Sequence, residues 1–341
     1  MKFKNPESAF HKYEKKRTFR WVTVVEIFII VIAFIILSAI IFQNTTSKYE
    51  LNKVKLKGSM INLGKYKLMT NISGSGKASV IFESDIGTSI NQWSKIREGI
   101  SAQAKVFTYD RAGFGWSESS TKETDISEAV NDLRALLKKT VTNPPYILVG
   151  HAYGGLVMCK FAKDYPDEVM GLVLIDSYTD KQIYSSEFQK SLKKTLFLKK
   201  LYMVSSYLGG MRLANKYGWL KSDEDLLKYL SEENRTLFKI QRVTSKYNKT
   251  VYKELYSLKN YNETLQINNM LSGKPVVIIT TTSTSEEINK SKQRVEYQKE
   301  LLRLSANGEQ IIIENSSPYV QAEKPEVIIN SINNILKKVG K

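Results

Sequence analysis

The sequence predicts an α/β protein: a mostly parallel, doubly wound sheet with a helical insertion, preceded by a membrane-spanning helix. Three observations carry this. Short apolar runs rich in Val and Ile alternate with helical patterns from about residue 78 to 338. The alternation stops between about 178 and 270, where the pattern is mainly helical. Ahead of both, residues 21–42 are apolar almost without interruption.

The apolar stretch runs WVTVVEIFIIVIAFIILSAIIF, 22 residues with Glu26 as its one charge. A helix rises about 1.5 Å per residue, so it spans a hydrocarbon core of roughly 30 Å. A secretory signal has a shorter apolar core of about 7–15 residues and a small-residue cleavage site. No A-x-A site follows here, so an uncleaved anchor is expected. A buried core helix is the alternative, but an all-round apolar helix at a chain end has nothing obvious to bury it. Lys2, Lys4, Lys12, Lys15, Lys16, Arg17 and Arg20 precede the stretch, against Glu7 and Glu14. The positive-inside rule then places 1–20 in the cytoplasm and the folded domain outside. Residues 43–51 are polar and read as a linker, and 52–341 form the domain.

Within the domain, β-like stretches at 52–58 and 66–72 suggest an antiparallel entry hairpin. Strands are expected at 78–84, 104–110, 146–150, 170–176, 274–280 and 310–314. Several are continuously apolar, as strands covered on both faces are. Helical patterns lie between them at about 91–101, 124–140, 154–165, 285–305 and 323–338. Strand–helix alternation of this kind builds an open parallel sheet with helices on both faces. The segment 178–270 reads as a cap over the ligand crevice, broken at Gly209–Gly210. Residues 181–270 hold 17 Lys and Arg against 8 Asp and Glu, with 13 aromatics. A plain helical excursion with its own small core is the alternative.

Composition narrows the function classes. The chain carries a net charge of +17. With an anchor present, an anionic lipid surface or cell envelope explains that charge better than nucleic acid does. Cys159 is the only cysteine, which excludes an intrachain disulfide and a cysteine zinc cluster. No H-E-x-x-H, CxxC or P-loop occurs, so neither a metal nor another cofactor is expected.

Four motifs point to chemistry. Gly150-His151-Ala152-Tyr153-Gly154-Gly155 follows the strand YILV and opens a helical pattern. Asp110-Arg111-Ala112-Gly113-Phe114-Gly115-Trp116-Ser117 follows an earlier strand. Glu83-Ser84-Asp85-Ile86-Gly87 and Glu314-Asn315-Ser316-Ser317-Pro318-Tyr319 follow two others. In this order the motifs resemble the α/β-hydrolase superfamily over about residues 52–338. The first resembles the nucleophile elbow G-x-S-x-G, whose glycines let a strand turn sharply into a helix.

The resemblance implies a serine-hydrolase-like site with two of its parts replaced. Ala152 stands in the nucleophile slot, where a methyl group cannot attack a carbonyl. Pro318 stands in the slot of the histidine that shuttles the nucleophile's proton. The chain has two histidines only, His11 and His151. His11 precedes the anchor, and His151 is expected to be a structural histidine pointing away from the base slot. Ile86 and Tyr153 would supply the oxyanion N–H groups. Asp85, at a place where many relatives have Gly, either faces that hole and opposes its charge or faces solvent. Asp176, after the sixth strand, is the candidate acid, with Glu286 second. Asp110 would brace its loop against Arg111 or backbone N–H groups. Cys159, two turns into the following helix, reads as packing.

Two functions follow from the resemblance. One is a non-catalytic binding or regulatory protein at the membrane, holding a small apolar or ester-like ligand in a pocket under the cap. The other is a serine-type hydrolase of ester, lactone, lipid or peptide bonds, in a parent form with Ser at 152 and His at 318. A residual enzyme using Tyr153 or Asp85 as base ranks third.

Overall fold

The structure is a computed structural model that describes residues 7–54, 58–122, 124–220, 224–262, 265, 268–283 and 288–339. Glu286 lies outside the described residues.

A long helix, α1 (Glu7–Lys53), opens the chain. It carries the apolar stretch but does not stop at its end. The polar residues 43–51, expected to be a linker, continue the helix. No Gly or Pro occurs between Glu7 and Gly58, and an established helix extends cheaply through residues that do not break it. The first strand is displaced for the same reason. It was expected at 52–58, but Asn52 and Lys53 belong to α1, and β1 is Ser59–Asn62.

The remaining strands lie within about two residues of their expected bounds: β2 (Lys67–Ser73), β3 (Ser79–Glu83), β4 (Lys105–Tyr109), β5 (Tyr146–His151), β6 (Val169–Ile175), β7 (Val276–Thr281) and β8 (Gly308–Ile313). They form one sheet in the order β1-β2-β4-β3-β5-β6-β7-β8. β1 pairs antiparallel with β2, and β2 antiparallel with β4. Every other pairing is parallel.

Alternation along the central strands builds two cores. Successive side chains of a strand point to opposite faces. Ile81 and Leu148 therefore enter one core, with α3 (Ile126–Lys139) and α4 (Tyr153–Asp164) laid over it. Val80, Phe82, Ile147 and Val149 enter the other, covered by α2 (Ser94–Ile100) and a C-terminal helix. On α3, Ile126, Val130, Leu133 and Leu137 repeat at helical spacing and are buried. The Asp125 carboxylate caps its first turn by accepting from Glu128 N–H, and Lys138 and Lys139 lie in its last turn, where they complement the helix dipole. Each fully buried aliphatic side chain contributes about 1.5–3 kcal/mol.

Between β6 and β7 the described residues form α5 (Asp180–Tyr184), α6 (Ser186–Tyr207), α7 (Gly210–Lys216), α8 (Glu224–Tyr229), α9 (Glu232–Gln241) and α10 (Ser245–Lys259). The expected break is real: Gly209 takes φ +78° between α6 and α7, a conformation that costs glycine little. α6 packs along α10, and α10 reaches the sheet through Tyr247, whose hydroxyl donates to Gly87 O at 2.9 Å. α11 (Ile288–Lys299) leads into β8, and α12 (Val320–Glu323) and α13 (Pro325–Val339) end the described chain.

Candidate functional site

In the sheet order the chain changes direction between β3 and β5, and crevices form at the carboxyl ends of strands beside such a reversal. Asp85 follows β3 there, Ala152 follows β5, Asp176 follows β6 and Pro318 lies in the turn after β8.

The β5–α4 turn is sharp. Ala152 sits at φ +47°, ψ −109°, a conformation rare for a residue with a Cβ and held only where the surroundings enforce it. Ala152 N–H donates to Ile175 O at 2.9 Å, which ties the turn to β6. The glycines permit the close packing. A Cβ on Gly154 would lie 2.4 Å from Glu83 O, and one on Gly150 2.6 Å from Gly154 O. A Cβ on Gly155 would lie 2.0 Å from Ser177 Oγ.

Asp85 faces this turn. Its Oδ1 accepts the Tyr153 backbone N–H at 3.1 Å. Of the two orientations left open by the sequence, the side chain takes the inward one. A carboxylate thus holds one of the two N–H groups that the resemblance assigns to an oxyanion. Ile86, the other, is half-buried against the core under α3 and α4.

His151 departs from expectation. It does not point away from the loop after β8: Nε2 donates to Pro318 O at 3.0 Å, and Nδ1 accepts from Gln321 Nε2 at 3.2 Å. The cause is strand alternation. His151 shares a face with Ile147 and Val149, and Val320 of α12 covers that same face. His151 is a satisfied structural histidine, as expected, but it braces the turn that holds Pro318.

Asp176 is likewise committed. It sits at φ +42° and accepts from Thr281 N–H at 2.9 Å and from Thr281 Oγ1 at 2.5 Å. Burial pushes its carboxyl above the ordinary range, and the Thr281 bonds act against that. Tyr153 is no base: its phenol is buried, and burial drives it far above its usual value. Burial also pushes the Cys159 thiol up to about 12, which suits packing and not attack.

Asp110 braces its loop through backbone alone of the two expected means. Its Oδ1 accepts Ile90 N–H at 2.9 Å. Arg111 turns elsewhere, to a buried cluster that sequence reasoning missed. Its guanidinium donates to Glu83 Oε1 at 2.6 Å, to Glu254 Oε1 at 2.7 Å and to Glu254 Oε2 at 2.8 Å. Tyr109 Oη donates to the second Glu83 oxygen. Arg111 also lies 5.1 Å from the Tyr153 ring centre. A signal was present. Tyr247, Val251, Glu254 and Leu258 fall on one stripe of α10, and an acid inside an inward stripe asks for a partner.

Two cavities lie away from the turn. One of about 500 Å³ opens between α3 and α10, lined among others by Asp125, Ile126, Tyr252, Tyr256 and Tyr261. Another of about 620 Å³ lies between α6 and α11, with Lys190, Lys194, Lys290 and Arg294 on its wall. Neither is lined by Asp85, Ala152 or Pro318, so the expected pocket over the elbow is not where these two open. Among the described residues no group of three His, Cys, Asp or Glu is placed to hold a metal ion. Chemically, a methyl and a pyrrolidine ring at 152 and 318 can neither attack a carbonyl nor carry a proton.

Comparison with known proteins agrees with this geometry. A family model described as α/β hydrolase fold matches residues 79–325. The chain is 31% identical over 181 residues to the uncharacterized protein YqjL of Bacillus subtilis (strain 168), covering 47% of this chain and 68% of that protein. It is 30% identical over 95 residues to a (lyso)-N-acylphosphatidylethanolamine lipase of Mus musculus, spanning 28% of that protein's length. A thermophilic esterase from Thermogutta terrifontis superposes with a TM-score of 0.60 at 18% identity, over 84% of this chain and 99% of that one. The sheet order, the strained strand–helix turn and the family match over 79–325 make this chain a member of the α/β-hydrolase family.

Proposed function

We propose that the chain is a single-pass, membrane-anchored member of this family that does not hydrolyse efficiently and serves as a binding or regulatory module. Its α1 anchors it, with the domain on the outer side. The observation that carries the reading is the pairing of Ala152 with Asp85: the turn lacks a nucleophile, and a carboxylate holds the Tyr153 N–H beside it. Donors aimed at developing negative charge lose their use when a fixed negative charge already occupies them. Pro318 removes the proton carrier as well. The preserved glycines and the strained Ala152 keep the scaffold of the turn while its chemistry is absent.

The ligand under this reading is small and apolar or ester-like. The tyrosine-walled cavity between α3 and α10 suits it, since mostly apolar walls with a few polar groups are what such ligands need. The alternative, a serine-type hydrolase in a parent form with Ser at 152 and His at 318, is favoured by the intact elbow. The esterase and lipase among its relatives give that form a substrate class of esters and lipids.

The test is turnover of short-chain p-nitrophenyl esters by the full chain in detergent, beside a variant carrying Asp85→Gly, Ala152→Ser and Pro318→His. The given chain is expected to stay at background and the triple variant to turn over. Turnover by the given chain well above background overturns the proposal. Silence of both, with both folded, removes the hydrolase parent and leaves the binding module.

A further inference from the structure

We propose that the cap is itself a membrane-docking surface: the outer face of α6, with α7 and Trp219, lies in the headgroup layer of the bilayer that α1 crosses. This presupposes the anchor proposed above and adds the orientation of the domain to it.

The argument begins with α6. Leu192, Leu196 and Ser206 are buried against the domain. The opposite stripe is Phe197, Leu201, Val204 and Leu208, spaced four, three and four residues apart, and all are exposed. Phe197 is 68% and Val204 54% exposed. Continued toward its N-terminus, the same stripe becomes Lys190, Lys193 and Lys194. One helix face is therefore basic in its first half and apolar in its second. Beyond it, Leu213 on α7 is 56% exposed, and Tyr217 and Trp219 stack on each other, Trp219 being 69% exposed. Monomeric soluble proteins seldom leave contiguous apolar surface of this kind uncovered. An apolar patch with an aromatic pair and a lysine rim is the composition of an interfacial membrane contact.

The position of α1 identifies what covers the patch. Its apolar stretch is bare on every side up to Leu37, and its polar end is fastened to the cap beside the patch. Gln43 donates to Val243 O at 2.9 Å. Arg212, on α7, donates to Gln43 Oε1 at 2.7 Å, Ser47 Oγ at 2.9 Å and Glu50 Oε2 at 2.7 Å. A Cβ on Gly209 would lie 3.9 Å from Gln43 Oε1. Gln43 is the first residue after the apolar stretch, and Glu50 stands about two turns farther on. The C-terminal end of α6 and the start of α7 are thus held level with the boundary of the hydrocarbon core. The apolar half of the α6 face is the half nearer that boundary, and the lysine half is farther away. This is the order of acyl chains and anionic headgroups.

The test uses the full chain reconstituted in vesicles of phosphatidylcholine and phosphatidylglycerol. A nitroxide is placed on one introduced cysteine at a time: Ile36→Cys in the anchor, Leu201→Cys and Leu213→Cys on the patch, and Val141→Cys as reference. Val141 is also exposed and apolar, but it precedes β5 and so lies at the amino ends of the strands, whereas α6 and α7 follow the carboxyl end of β6. Collision with oxygen reports lipid, and collision with a water-soluble nickel chelate reports solvent. Labels at 36, 201 and 213 are expected in lipid or at its surface, with 141 in water. Patch labels as wet as the one at 141, while 36 remains in lipid, overturn the docking and leave the anchor intact. A wet label at 36 overturns the anchor, and the docking with it.

Discussion

The Tyr153 N–H donates to Asp85 Oδ1 over 3.1 Å, and a donor already facing a full negative charge has little left for a second one. Restoring only the nucleophile and base should therefore recover part of the activity. A double variant, Ala152→Ser with Pro318→His, is expected to lag the triple variant with Asp85→Gly by about 10²–10³-fold in kcat, the usual effect of losing one oxyanion donor. Equal rates would show that Asp85 swings away when substrate binds. Asp110 offers a separate check on burial. Burial pushes its carboxyl up to about 6 from an ordinary value near 4, while Ile90 N–H and Lys246 pull it down. A raised folded value means that the folded state holds the proton more tightly. Its stabilising contribution is then complete below about 4 and is lost as pH rises from there to about 6. Asp110→Asn should flatten the fall in thermal stability across that window by about 1–3 kcal/mol. An unchanged pH profile would place the charge elsewhere. Much at this scale was legible in the sequence. Ala152, Pro318 and the glycines were read directly from the motifs. The direction of Asp85 was not, because its partner, the Tyr153 N–H, lies 68 residues away in the chain and is brought to it only by the fold. That of His151 was legible in principle, since parity along β5 puts it on the face of Ile147 and Val149.

At the scale of elements, the apolar runs located β3 to β7 because strands buried on both faces carry an uninterrupted signal, and β8, at the sheet edge, was located by its run of three isoleucines. The entry strand failed because its residues are polar on one side and the preceding helix runs into them. The linker failed for the same cause, and its helix is useful: Gln43, Ser47 and Glu50 are presented on successive turns to Arg212. Between the helical insertion and the sheet, the Arg111 guanidinium joins Glu83 of β3 to Glu254 of α10. Breaking a buried pair strands the remaining charges, at a cost of about 3–5 kcal/mol. Arg111→Leu, which leaves two buried carboxylates without their cation, is expected to destabilise the chain by that amount in thermal or urea unfolding. Glu254→Gln should cost less, because Glu83 still neutralises the guanidinium. If both variants unfold like the parent, the cluster contributes nothing to holding α10 on the sheet.

At the scale of the whole molecule, the bare apolar stretch of α1 and the exposed apolar face of α6 lie on either side of the point where Arg212 holds the polar end of α1. The strained turn after β5 keeps the backbone of a strand–helix elbow, and under the proposed function Ala152, Pro318 and Asp85 together remove attack, proton transfer and oxyanion binding. The full chain should stay with membranes through high salt, since an apolar helix of this length is not held by charge. The most direct test is the intact mass of the full chain after exposure to a fluorophosphonate. No adduct is expected on the given chain, and a single adduct at position 152 is expected on the triple variant. An adduct on the given chain would reveal a nucleophile that the site as described does not contain, and would contradict its assignment as chemically vacant.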